Sequence, residues 1–222
     1  TFTKVFEEER ELTMMLIIDI SGSNFFGSNS AFKNEYVTEL AATLAFSATK
    51  NNDKVGLILF SDNVELYIPP KKGKSHVLRI IRELLEFKSK SKKTDINVPL
   101  KFVSNILKNR SIAFIISDFI SQDYSNSLKI FSSRHDVTGI RIYDKTEEII
   151  PNLGVIDIND NETGKRTTVN TSSKKIRRKY NEYYNSKRRE FVDYFKRSGS
   201  GIIECNTQDD YQKKLLKYFK SR

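Results

Sequence analysis

Leu12–Ser23 reads LTMMLIIDISGS, and the fold is decided there. Leu12–Ile18 is an apolar run without polar alternation, as a strand covered on both faces requires. At its carboxyl end come Asp19, Ile20, Ser21, Gly22 and Ser23. In open α/β sheets, ligands bind beyond the carboxyl ends of the strands, near the point where strand order reverses. Asp19, Ser21 and Ser23 place three oxygen groups there at alternate positions, and Gly22 permits a tight turn between the hydroxyls.

The chain on either side supplies the rest of an α/β layer structure. Phe2–Phe6 reads as a short leading strand, and Ala31–Lys50 as a helix with Val37, Leu40, Ala41, Leu44, Ala45 and Ala48 on one face. Asp53–Phe60 and Asn63–Ile68 read as strands. Their two-residue link is too short for a parallel return, so they should pair antiparallel, with Pro69 and Pro70 ending the second. Ser75–Phe87 (Val77, Ile80, Ile81, Leu84 and Leu85 inward) and Ile96–Lys108 are expected helices, Pro99 sitting in the first turn of the latter. Ser111–Asp118 and Asp136–Tyr143 are expected strands flanking a short helix, Tyr124–Ser133. The succession implies a doubly wound, mostly parallel sheet with one antiparallel edge strand.

Beyond Asp144 the texture changes. Asn152–Asn170 reads as a hairpin with its turn at 161–164, an insertion into a single domain spanning residues 1–222. A long basic helix follows to Arg197, capped by Ser172 or Ser173, with Ile176, Tyr180, Tyr183, Phe191, Tyr194 and Phe195 as its apolar stripe. Gly201–Cys205 is a last strand, with Cys205 buried in it, and Asp209–Phe219 a closing helix.

Composition narrows the function classes. The 222 residues contain no apolar run near 20 residues, which argues against a membrane span, and no signal peptide is visible. One cysteine excludes an internal disulfide and a multi-cysteine metal cage, which suits a cytoplasmic protein. The start on Thr1 is what a fragment of a longer chain would show. The net charge of +10 suits an anionic partner or, more simply, a solvated Lys-rich surface. His76 and His135 lie near no other nucleophile in sequence, giving little support to a histidine mechanism.

The Asp-x-Ser-x-Ser pentapeptide alone is a common turn or cap pattern. Two features strengthen it. The Ser111–Asp118 strand also ends in a carboxylate, and Thr94 and Asp95 lie in the loop entering the Ile96 helix. Adjacent first and fourth strands would bring these groups together, a set of hard oxygens suited to Mg²⁺ or Mn²⁺. Asp95 is better read as the cap of its helix than as a ligand.

The residues DISGS at 19–23, Thr94 in KTDINVPL and Asp118 in IISDF resemble the metal-ion-dependent adhesion site of the von Willebrand factor A fold. VFEEERELT at 5–13, the stretch 44–84, RSIAFIISDF at 110–119 and RHDVTGIRIYD at 134–144 resemble more specifically the bacterial domain-of-unknown-function fifty-eight family, usually linked to MoxR-type AAA+ ATPases. Members often carry a further N-terminal segment. The resemblance implies that Ser21, Ser23 and Thr94 give hydroxyls directly to the metal, while Asp19 and Asp118 act mostly through waters. An ion with few direct charges stays electrophilic, and a partner's carboxylate can complete its shell. Phe119 stands where the wider pattern often has Gly; with Phe25 and Phe26 it is a candidate partner contact at the rim.

The expected function is therefore a non-catalytic, metal-dependent protein-interaction domain working with a MoxR-type ATPase in complex assembly. The alternative is a basic surface for nucleic acid or anionic lipid, although no recognised nucleic-acid motif accompanies the charge. A haloacid-dehalogenase-like phosphatase would need a second acid two residues after its nucleophilic Asp, and Ser21 occupies that position. A dinucleotide fold would need Gly-x-Gly-x-x-Gly after the first strand, where Ser-Gly-Ser stands.

Overall fold

The computed structural model describes residues 11–22, 30–159 and 166–221. The Phe2–Phe6 strand, Ser23, Phe25, Phe26 and the 161–164 turn lie outside the described residues. The elements in order are β1 (Thr13–Asp19), α1 (Ser30–Lys50), β2 (Lys54–Phe60), β3 (Val64–Lys71), α2 (Lys74–Glu86), α3 (Asn97–Ile106), β4 (Ile112–Ser117), α4 (Ser125–Ser132), β5 (Asp136–Tyr143), α5 (Lys145–Glu148), β6 (Val155–Asn159), β7 (Arg166–Asn170), α6 (Lys174–Arg197), β8 (Gly201–Asn206) and α7 (Tyr211–Lys220). The main sheet has the order β3-β2-β1-β4-β5-β8, and β6 and β7 form a separate hairpin. Among the described residues, only the β2–β3 pairing is antiparallel within the main sheet.

β1 lies at the centre, parallel to β2 and β4. Met14, Leu16 and Ile18 face one apolar layer with α1, α2 and α7; Met15 and Ile17 face the other with α3, α4 and α6. Both faces are covered, which is why β1 shows no apolar–polar alternation. At β5 the backbone itself serves as the packing surface. A Cβ on Gly139 would come within 2.5 Å of the Phe195 ring, so the glycine lets α6 approach the sheet closely.

Several local expectations need correction. β3 runs through Pro69 and Pro70 to Lys71 rather than stopping before them. It is an edge strand with a register shift between Val55 and Leu57, and an edge position tolerates a residue without an N–H. Leu85 is 63% exposed, because it sits too far round α2 from Val77, Ile80 and Leu84. On α6 the buried tyrosine is Tyr184 rather than Tyr183. Ser173 holds the N-cap position of α6, but its side chain makes no capping hydrogen bond. Cys205 is buried in β8 as expected, and burial pushes its thiol up to about 11.

Phe119 is the largest departure. It is 1% exposed, so it offers no contact at the rim. Its φ of 60° is the left-handed conformation that glycine adopts freely, costing other residues about 1–2 kcal/mol. Its ring stacks on Phe191 at 4.3 Å between centroids and meets Phe195 edge-on at 5.3 Å. Burying a phenylalanine contributes about 1.5–3 kcal/mol, enough to offset the backbone cost. Phe119 thus pins the loop after β4 to α6. Phe119→Ala should destabilise by about 3–5 kcal/mol in chemical denaturation. Phe119→Gly should be no worse despite losing one more carbon, since it relieves the left-handed backbone; a markedly larger loss for Gly would refute this account.

Candidate functional site at the carboxyl edge

The parallel pairing of β1 with β4 carries Asp19 and Asp118 to neighbouring positions at the sheet's carboxyl edge. Both are nearly sealed from solvent, at 2% and 3% exposure. Each carboxylate also organises its own turn. Asp19 Oδ1 accepts from the Ser21 amide at 2.9 Å, and Asp118 Oδ1 accepts from the Ile120 amide at 2.9 Å. Such bonds two residues forward are the local habit of Asp, and they hold the carboxyl groups over the strand ends.

The hydroxyls come from two directions. Thr94 Oγ1 donates to Ser21 Oγ at 2.6 Å, joining the loop before α3 to the turn after β1. Gly22 N donates to Lys92 O at 3.1 Å and Asp95 N donates to Ser61 O at 3.1 Å, so backbone bonds fasten that loop on both sides of Thr94. Asp95 behaves as the entry to its helix: its carboxylate accepts from the Asn97 amide at 2.9 Å, although the assigned cap is Ile96. Asp19, Ser21, Thr94 and Asp118 are therefore brought together. Ser23, Phe25 and Phe26 lie outside the described residues, and Phe119 is turned into the core.

Ser117, which no motif in the sequence marks, also belongs to this constellation. Its hydroxyl donates to Asp19 Oδ2 at 2.6 Å and accepts from the Phe119 amide at 3.0 Å. The pattern Ser-Asp at a strand end was its only sequence signal. Lys33 near the start of α1 is a second omission. Its side chain is 3% exposed, and its ammonium lies 3.2 Å from Glu147 of α5, tying α1 to the segment after β5. Nothing local in the sequence announces that pair, which spans 114 positions. The buried Arg141 of β5 meets Glu204 at 3.4 Å and lies over the Tyr143 and Tyr184 rings.

Electrostatically the site is uncomfortable for negative charge. Burial, then the neighbouring Asp118, pushes the Asp19 carboxyl up to about 7 from an ordinary 3.8, despite opposing hydrogen bonds from Ser117 and Ser21. Among the described residues no group of three or more His, Cys, Asp or Glu side chains is placed to hold a metal ion by those residue types alone. The donors are two carboxylates with Ser and Thr hydroxyls, a hard-oxygen set that fits a Mg²⁺-like cation, whose charge would relieve the crowding of the carboxylates.

Comparison with known proteins agrees with this architecture. The family described as "Protein of unknown function DUF58" matches residues 1–190. Uncharacterized protein Rv1480 of Mycobacterium tuberculosis is 24% identical over 159 residues, covering 70% of this chain and 50% of that protein. The chain thus spans about half the length of the curated relatives it matches. Among solved structures, BatB from Bacteroides thetaiotaomicron superposes with a TM-score of 0.63 at 16% identity, covering 95% of this chain and 98% of the other. An aerotolerance-related membrane protein from Bacteroides fragilis gives 0.62 at 17% identity, covering 95% and 100%. These likenesses concern the fold, an α/β architecture around a mostly parallel sheet. Among the described residues no helix is long and apolar enough to cross a membrane.

The raised Asp19 carboxyl has a consequence for stability. Its folded value, about 7, lies above the unfolded 3.8, so folding takes up a proton between those values. Without metal, stability should therefore fall as pH rises from 4 through 7. Asp19→Asn, which keeps an acceptor and removes the charge, should flatten this dependence and raise the melting temperature above pH 7 in chelator. Thermal melts across that range check it; a wild type more stable than Asp19→Asn at pH 8 in chelator would contradict it.

Proposed function

We propose that this chain, which belongs to the DUF58 family, is a non-catalytic protein-interaction domain whose carboxyl-edge site binds Mg²⁺ or Mn²⁺ and, through it, an acidic residue of a partner protein. The observation that carries the reading is the convergence of Asp19, Ser21, Thr94 and Asp118, with Thr94 bonded to Ser21 at 2.6 Å across 73 positions of sequence. Ser21, Ser23 and Thr94 would hold the ion by their hydroxyls, and Asp19 and Asp118 would support it mainly through waters. The ion supplies an electrophilic position that a partner's carboxylate can fill.

The chain's own groups divide the remaining work. Ser117 orients Asp19, the Asp118–Ile120 turn holds the second carboxylate, and the bonds from Gly22 and Asp95 keep Thr94 in register with β1. Such preorganised support is what a metal site requires of its surroundings. A MoxR-type AAA+ ATPase is the proposed functional companion, the domain acting as its adaptor in the assembly or maturation of other complexes.

Calorimetric titration of Mn²⁺ and Mg²⁺ into chelator-treated protein tests the reading. The expected result is saturable one-site binding that Ser21→Ala and Thr94→Ala weaken by at least about tenfold, the range for loss of a supporting group. Capture of a MoxR-type ATPase or its clients should then require metal and fail in Ser21→Ala. Binding that the alanine variants leave unchanged, or capture indifferent to chelator, would overturn the proposal.

A further inference from the structure

We infer that the base of the β6–β7 hairpin and the first turns of α6 form a docking surface for an anionic lipid bilayer, distinct from the carboxylate–hydroxyl site and independent of the reading given to it. Three aliphatic side chains stand out here: Ile149, Leu153 and Val155, at 63%, 63% and 65% exposure. Leu153 and Val155 are held together at the base of the hairpin. Leu153 N donates to Thr171 Oγ1 at 2.9 Å, Thr171 N donates to Gly154 O at 2.7 Å, and Val155 pairs with Asn170. Ile149 follows α5, whose last turn is held to α6 by the Tyr180 hydroxyl donating to Glu147 O at 2.8 Å.

The same bonds set this apolar row beside concentrated positive charge. Thr171 and Ser172 lead directly into α6, and Ser172 Oγ donates to Asn152 Oδ1 at 3.0 Å. Lys174 and Lys175 are exposed, and the Arg178 side chain is 75% exposed. α6 holds ten basic and three acidic residues, a net +7 of the chain's +10. The charge is therefore not spread evenly over a solvated surface.

The combination selects the ligand. Phosphates of nucleic acid and of lipid headgroups attract lysines alike, but a nucleic-acid backbone offers nothing to exposed isoleucine, leucine and valine. A bilayer offers both an anionic surface and an apolar layer beneath it. The described β6 and β7 residues contact one another far more than any other element, and two strands alone are marginal in water. The Thr171 and Ser172 bonds tie the base of the hairpin to the start of α6, so its exposed aliphatic side chains meet a headgroup layer together with the lysines.

Co-sedimentation with vesicles of equal parts phosphatidylglycerol and phosphatidylcholine, at low salt and in chelator, tests the inference. Binding is expected to these vesicles and not to pure phosphatidylcholine. Leu153→Ser/Val155→Ser should weaken it by about tenfold or more. Lys174→Glu/Lys175→Glu/Arg178→Glu should lose at least about fivefold per charge. Lys196→Glu/Arg197→Glu, at the far end of α6, should bind like wild type. Unchanged circular dichroism shows that the variants fold. No sedimentation with anionic vesicles would overturn the inference. So would binding indifferent to the serine variant, or a lysine-dependent shift of duplex DNA without vesicle binding, which would assign the surface to nucleic acid. Because chelator is present throughout, failure here leaves the metal reading standing, and the reverse also holds.

Discussion

Two carboxylates, Asp19 and Asp118, end adjacent parallel strands in a nearly solvent-free crevice, and much of the carboxyl edge is arranged around holding them there. Burial and mutual repulsion oppose charge at Asp19, and hydrogen bonds from Ser117 and the Ser21 amide answer only part of that cost. Parallel pairing leaves little freedom to separate the groups, since Ile18 is in register with Ile116, just before Asp19 on one strand and the Ser117–Asp118 pair on the other. A protein that retains such an arrangement stores electrostatic strain where a cation would release it. Perturbed carboxyl groups of this kind cluster at functional sites.

The framework that imposes the crowding is itself simple. Each buried strand alternates its side chains between two helical layers, and the loop after β4 is locked by Phe119 against Phe191 and Phe195. The conformation that glycine would take freely is reached here through an aromatic anchor. The rim of the site is thereby made rigid from beneath, while its outward surface is left to other residues.

How much of this could be read from the chain follows from the range of the interactions. The buried first strand, the mostly parallel sheet with its antiparallel edge strand, and the meeting of Asp19, Ser21, Thr94 and Asp118 are legible because unbroken apolar runs and short links restrict the topology to few choices. Pro69 and Pro70 misled because a proline stops a strand only where its N–H is needed, and the edge position depends on tertiary context. Phe119 was expected at the surface because its partners lie more than 70 positions away on α6. The Lys33–Glu147 pair and the choice of Tyr184 over Tyr183 are likewise settled by packing between distant segments. Local propensity is silent on all of these.

The central claim is that an ion bound at this edge lies among the hydroxyl and carboxylate oxygens of β1, the Thr94 loop and β4. Anomalous diffraction from crystals soaked in Mn²⁺ tests it most directly. The account predicts one strong peak within coordinating distance of Ser21 and Thr94 hydroxyls, with Asp19 and Asp118 beside it and a position open to a carboxylate. A peak held by other residues, or none at a Mn²⁺ concentration that saturates binding in solution, would contradict it.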